Sequence, residues 1–230
     1  MRAGALLLIA VALAACGGGS HSLAVFAAAS LTDVLPKIDD AARYSFGGSD
    51  DLAAQIREGA PADVYASASP KYPAELHAAG LAGAPRAFAT NRLVAIVRRG
   101  YTGDLWSLTQ PGVKVVLAAE GVPAGDYARQ ALQSLGADAA LDNVVSEEDD
   151  VKGVLTKVAL GEADAGFVYA TDVEPVASKV RILEIPASAQ PRIEYSVAVV
   201  HESEQADDFV RRLLGPHGRA ALREAGFGAP

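Results

Sequence analysis

Short apolar runs alternate along this chain with amphipathic stretches closed by glycine, and that alternation limits the fold more than any other feature. Leu23–Ala27, Asp63–Ala66, Leu93–Val97, Val113–Ala118, Gly166–Tyr169 and Val197–Val200 have the length and continuity of strands buried on both faces. Between them, Leu31–Arg43, Asp50–Glu58, Pro70–Ala79, Gly125–Leu135, Val151–Leu160 and Ala206–Leu214 carry helical spacing. Gly59, Gly80, Gly136, Gly161 and Gly215 follow these stretches, where a left-handed residue commonly closes a helix. Such alternation builds an α/β architecture of mostly parallel sheets flanked by helices. A body of about 210 residues suits one large sheet or two smaller lobes, and periodicity does not choose between them.

The chain opens differently. Arg2 precedes the apolar run Ala5–Ala12, which is too short for a membrane span of about 20 residues. Leu13-Ala14-Ala15-Cys16 resembles the lipobox of bacterial lipoproteins, in which the cysteine thiol receives lipid and becomes the new N-terminus. Cys16 is the only cysteine, and Gly17-Gly18-Gly19-Ser20 behind it forms a flexible tether. Residues 1–15 are therefore expected to be a signal peptide and 16–22 a lipidated tether. The protein is expected outside the cytoplasm, in the periplasm or at the cell surface, anchored to a membrane. A single cysteine excludes a disulfide framework and any multi-cysteine metal site. With 20 Lys and Arg against 28 Asp and Glu, the net charge of −8 argues against nucleic acid as a partner.

Enzyme motifs do not occur. There is no Gly-x-Ser-x-Gly elbow, no phosphate-loop lysine and no His-Glu-x-x-His pair, and the four histidines (His21, His77, His201 and His217) are scattered. What recurs is an apolar run leading straight into a helix start softened by small residues. Ala27-Ala28-Ala29-Ser30-Leu31-Thr32-Asp33 places Ser30 at an N-cap, with Asp33 completing a capping box. Phe46-Gly47-Gly48-Ser49 does the same with Ser49, its glycines letting another group approach the backbone. Gly121-Val122-Pro123-Ala124-Gly125 puts proline at a first helical position, and Glu147-Glu148-Asp149-Asp150-Val151 opens a fourth start. In α/β sheets such starts gather at the carboxyl ends of strands, where free N–H groups and the helix dipole favour an anion. Asp50, Asp51, Asp126 and the run Glu147–Asp150 crowd these starts with carboxylates. Carboxylates there repel a dianion and offer acceptors to a protonated one.

The ordered set of segments is similar to the molybdate-binding proteins that serve molybdate ABC transporters. The likeness runs from Ala27–Asp33 through Ser49–Ile56, Gly59–Ala68, Val122–Ala128, Glu148–Val151 and Gly161–Tyr169 to Tyr195–Val200, and so spans the body of the chain. The resemblance implies a two-lobed periplasmic binding protein of type II, closing on its oxyanion like a clamshell. The crossovers fall near Asn91–Val97 and Arg192–Ala198, giving a first lobe of 23–92 and 197–230 and a second of 93–196. It also implies the ligand contacts: hydroxyl and backbone donors from Ser30 and Ser49, backbone N–H groups from Ala124 and Val151, and the Tyr169 phenol. The implied ligand is molybdate or tungstate, with no cofactor, no cation ligands and no catalytic residue. The partners are the permease subunits of an ABC transporter, and the protein is expected to be a monomer.

A dianion without protons needs donors alone, so a donor-only pocket disfavours phosphate, which keeps a proton near neutral pH. Sulfate differs from molybdate mainly in size. The remaining readings are a receptor for sulfate, phosphate or another small oxyanion, and an extracytoplasmic serine hydrolase using Ser49 or Ser30.

Overall fold

The computed structural model describes residues 22–230. The expected signal peptide (1–15), Cys16 and the expected tether through residue 21 lie outside the described residues. Two five-stranded sheets form two lobes. The first holds β1 (Ala24–Ala28), β2 (Arg43–Gly47), β3 (Val64–Ser67), β4 (Arg86–Asn91) and β10 (Ile193–Val199), in the order β2-β1-β3-β10-β4. The second holds β5 (Leu93–Arg98), β6 (Val115–Ala118), β7 (Val144–Glu148), β8 (Ala165–Tyr169) and β9 (Val180–Glu184), in the order β7-β6-β8-β5-β9.

Each sheet is mixed, for one topological reason. β1 pairs in parallel with β2 and β3, and β6 with β7 and β8. The strands that follow the two crossovers, β5 and β10, run antiparallel to both of their neighbours. The carboxyl ends of the parallel strands in both lobes therefore feed the loops and helix starts that face each other across the cleft.

All six apolar runs read from the sequence are interior strands (β1, β3, β5, β6, β8 and β10), and the four other strands are the four sheet edges. Interior strands such as β1, β3 and β8 are buried throughout, whereas β2, β7 and β9 alternate or interrupt burial with exposure. An edge strand needs only one apolar face, so its sequence carries no continuous run.

The helices are α1 (Leu35–Ile38), α2 (Ser49–Arg57), α3 (Lys71–Ala78), α4 (Pro123–Leu135), α5 (Val151–Leu160), α6 (Glu204–Leu214) and α7 (Pro216–Glu224). The helix expected over 31–43 shrinks to α1, because Pro36 occupies its first turn and Arg43 already pairs in β2. His217 lies in the first turn of α7, a helix whose exposed Arg219 and Arg223 leave it only a narrow apolar face.

The chain crosses between lobes at Asn91–Leu93 and between Glu184 and Ile193. β10 lies wholly in the first sheet, so the return comes earlier than a boundary at 196/197. The strand opens with Ile193-Glu194, whose polar residue hides its start from a search for apolar runs. Gln190 clips the two crossovers together: its side chain accepts from Leu93 N at 3.1 Å and donates to Leu93 O at 2.7 Å.

Candidate functional site

One small cavity lies where the two lobes meet. Ala28, Ala29, Ser30, Gly47, Gly48, Ser49 and Ala68 line it from the first lobe, and Val122, Pro123, Ala124, Asp150, Val151 and Tyr169 from the second. All five residues named from the sequence (Ser30, Ser49, Ala124, Val151 and Tyr169) thus meet around one space. As room for a water-sized sphere that space is about 10 Å³, far below the roughly 300–1,000 Å³ of pockets for drug-sized molecules. A small ion suits it; a sugar or peptide does not.

On the first wall, Ser30 is buried in a 3-10 turn, Ala29–Leu31, directly after β1. The expected capping box does not form. Ser30 makes no cap bond; its Oγ lies 2.8 Å from the Tyr195 hydroxyl, and Asp33 is drawn away to Lys152 Nζ at 2.9 Å. A three-residue turn is too short to offer Asp33 a capping partner. Ser49 is the first residue of α2 rather than its cap, a position taken by Gly48 in extended conformation. Its Oγ accepts from Ala68 N at 3.1 Å, and its carbonyl accepts from the Tyr65 hydroxyl at 2.5 Å.

Gly48 is required by a close approach. A Cβ there would lie 2.5 Å from the Asp149 carbonyl oxygen of the opposite lobe.

On the second wall, Pro123 occupies the first turn of α4, leaving Ala124 to present an N–H with no intrahelical acceptor. Val151 begins α5 behind the Asp150 cap, whose Oδ1 accepts from Gly153 N at 2.9 Å. Both starts point a positive dipole end at the cavity. Tyr169 ends β8, is 1% exposed, and has a hydroxyl with no hydrogen-bond partner among the described residues. Burial pushes its pKa well above the ordinary phenol value, so it remains a neutral donor.

Neither lysine nor arginine lines the cavity. Among the crowding carboxylates only Asp150 lines it, and its side chain is engaged as a cap. Asp126 instead accepts from Gly121 N at 2.9 Å, beside the Tyr72 hydroxyl that donates across the cleft to the Gly121 carbonyl. Asp50 stands near this rim. Burial, with Asp51 and Asp126 nearby, raises its pKa. The array is therefore one of neutral donors around a small void. Among the described residues neither serine hydroxyl is hydrogen-bonded to an imidazole, the commonest base partner of a nucleophilic serine.

The sequence reading missed the residues that tie the lobes together. Lys152 of α5 reaches Asp33 and lies 3.1 Å from the fully buried Asp172, in an ion pair that falls short of a directed hydrogen bond. Tyr127 of α4 approaches the Ala68 carbonyl at 3.5 Å. No local motif marks such residues, because each takes its partner from the other sheet.

The family described as bacterial extracellular solute-binding protein matches residues 23–228. The molybdate-binding protein ModA of Mycobacterium tuberculosis strain H37Rv is 37% identical over 228 residues, covering 92% of this chain and 86% of the relative. ModA of Escherichia coli K12 is 36% identical over 248 residues, covering 98% of this chain and 95% of the relative. The structure of the Azotobacter vinelandii periplasmic molybdate-binding protein superposes with a TM-score of 0.81 at 26% identity, covering 91% of this chain and all of that one.

Proposed function

Because the chain belongs to the bacterial extracellular solute-binding proteins, we propose that it captures molybdate, and with it tungstate, between its lobes and delivers the anion to the permease of an ABC transporter. The observation that carries this reading is the convergence of donors on one small cavity without a lining cation. Ser30 and Ser49 supply hydroxyls, Ala124 and Val151 supply backbone N–H groups, and Tyr169 supplies a phenol that lacks any other partner among the described residues. Neutral donors at fixed positions bind a tetrahedral dianion without reorganising, and their lack of an acceptor role disfavours a protonated anion. The high identity to proteins named for molybdate binding supports molybdate over sulfate.

Calorimetric titration with molybdate, tungstate, sulfate and phosphate tests the assignment. Molybdate and tungstate are expected to bind tightly and phosphate weakly. Tighter binding of sulfate or phosphate would move the assignment to that anion. Ligand should also raise the melting temperature, because mass action adds about 2.7 kcal/mol at a hundredfold excess over Kd.

The lipobox and its glycine tether support anchoring through lipid on Cys16. Cys16→Ala is expected to abolish labelling by a fatty-acid probe, and equal labelling of both forms would remove the anchor from this reading.

A further inference from the structure

We propose that Tyr195 is a positioning residue: a hydrogen-bonded chain from the crossover residue Asn91 through the Tyr195 phenol fixes the Ser30 hydroxyl as a donor toward the cavity. This rests on the anion-site reading above and specifies how one of its donors obtains its polarity.

The direction of the chain follows from its first link. Arg92 N donates to Asn91 Oδ1 at 2.9 Å, which commits that oxygen as an acceptor and turns the amide nitrogen the other way. Asn91 Nδ2 then donates to Thr171 Oγ1 at 2.9 Å and approaches the Tyr195 oxygen at 3.4 Å. With its oxygen facing a donor, Tyr195 has its proton to give, and Ser30 Oγ stands 2.8 Å away. Ser30 accepts this hydrogen bond, so its own hydrogen is left to point into the cavity that Ser30 lines.

Tyr195 is suited to hold this position. It is fully buried, and the rings of Phe227, Tyr169 and Phe88 meet it edge-on with centroids at 5.4, 5.8 and 5.9 Å. Burial also keeps the phenol protonated, since it pushes the pKa well above the ordinary value.

Ser49 obeys the same rule through another donor, because Ala68 N occupies its acceptor side. Each serine thereby has one acceptor site filled and its hydrogen free to point into the cavity. The Tyr195 lock begins at the crossover, where Asn91 of the first lobe holds Thr171 of the second. Without it, Ser30 is free to rotate and accept, which is what a proton-bearing anion requires.

The test is a double-mutant cycle of Tyr195→Phe and Ser30→Ala, titrated with sodium molybdate and with inorganic phosphate. Tyr195→Phe keeps the ring and should weaken molybdate binding about 2- to 10-fold, the range for one lost hydrogen bond. It should also narrow the molybdate-to-phosphate ratio. In the Ser30→Ala background the same change should have no further effect on molybdate. A purely structural role would give additive losses, and additivity or wild-type affinity in Tyr195→Phe would overturn the proposal. If Tyr195→Phe does not fold, Asn91→Leu removes the head of the chain while leaving the phenol, and the same cycle with Ser30→Ala applies. A wild-type protein that prefers sulfate fails the molybdate reading alone, and the cycle is then read with sulfate. Binding of no oxyanion at all overturns both.

Discussion

The first lobe meets the cavity with two hydroxyl side chains, Ser30 and Ser49, whereas the second meets it with the bare starts of α4 and α5 and one phenol. A hydroxyl both donates and accepts, so the first wall uses further groups, Tyr195 and Ala68 N, to fill one acceptor site on each serine and leave its hydrogen for the cavity. A backbone N–H can only donate, and the helix that carries it fixes its direction. The first wall is therefore demanding in side chains, and the second is demanding in backbone and tolerant in side chains. On the proposed function, that difference explains why Ala124 and Val151 can be apolar beside an anion.

Both walls work only when they meet, and Gly48 controls how closely they do. Gly48→Ala places a Cβ 2.5 Å from the Asp149 carbonyl and 2.8 Å from Asp50 Oδ1. The carbonyl belongs to rigid backbone at the start of α5 and cannot swing aside. An overpacking cost of about 3 kcal/mol on the closed arrangement would raise the apparent Kd more than about a hundredfold. The unliganded fold should melt almost as wild type, because lobes held apart do not meet the Asp149 carbonyl and the end of the Asp50 side chain, in the same lobe, can turn aside. Titration together with a melting curve checks both halves of this expectation.

Next in size are the donors themselves. On the proposed function, Ser30→Ala and Ser49→Ala each remove a hydrogen bond to a charged acceptor, worth about 1.5–3 kcal/mol, so affinity for molybdate should fall about 10- to 150-fold. Val151→Pro gives the matching test on the second wall. Proline is favoured at a first helical position, and Asp150 before it is extended (φ −155°, ψ 174°), as a residue preceding proline must be. The substitution thus deletes one N–H while keeping the helix, and a loss of the same order as at the serines is expected by calorimetry. A Val151→Pro protein that binds as wild type would remove the backbone donor from the second wall.

These contrasts mark how far the sequence could be read. Interior strands such as β5 (Leu93–Arg98) announce themselves, because burial on both faces requires an unbroken apolar run. Edge strands such as β7, with Val145 exposed and Glu147 facing solvent, satisfy only one face and disappear among polar residues. The starts at Ala124 and Val151 were legible because proline and small residues, or an acidic cap, signal a helix N-terminus locally. The Ser30–Asp33 capping box was misleading: Ser30 finds its partner in Tyr195, far along the chain, and Asp33 finds Lys152 in the other lobe. Local signals report on local partners, and they are silent about Tyr72, Tyr127 and Lys152, which act across the cleft.

A charged tie also joins the two walls, and it should be visible in the dependence of stability on pH. Asp172, packed under Tyr169 and Tyr195 with Lys152 and Asp33 as its charged neighbours, has its pKa raised from 3.8 to about 6, chiefly by burial and against the pull of Lys152. A carboxyl with a raised folded-state pKa holds its proton more tightly in the folded state than in the unfolded one. Its contribution is therefore complete below about pH 4 and lost as pH rises through about 6. Two units correspond to roughly 2–3 kcal/mol. Asp164, whose pKa is lowered by its bonds to Arg98 and Lys114, acts in the opposite direction at lower pH. The measurement is therefore the difference between wild type and Asp172→Asn in denaturant unfolding from pH 4 to 7. Wild type should lose stability relative to the variant across that window, and parallel curves would mean that Asp172 is ionised throughout.

The smallest effect on binding is expected where the second wall's tolerance is tested directly. Val151→Ala leaves the N–H of α5 in place and shortens a side chain that is 4% exposed. Removing two methyl-sized groups from the core costs about 1–2 kcal/mol of folding stability, or roughly 2–8 °C in melting temperature for a chain of this size. Affinity for molybdate should change less than about threefold, under about 0.7 kcal/mol. Stability and affinity therefore separate at Val151, whereas at Ser30 and Ser49 affinity carries the larger share. If Val151→Ala weakened binding as strongly as Val151→Pro, the valine side chain itself would shape the cavity. The second wall would then depend on its side chains as the first does.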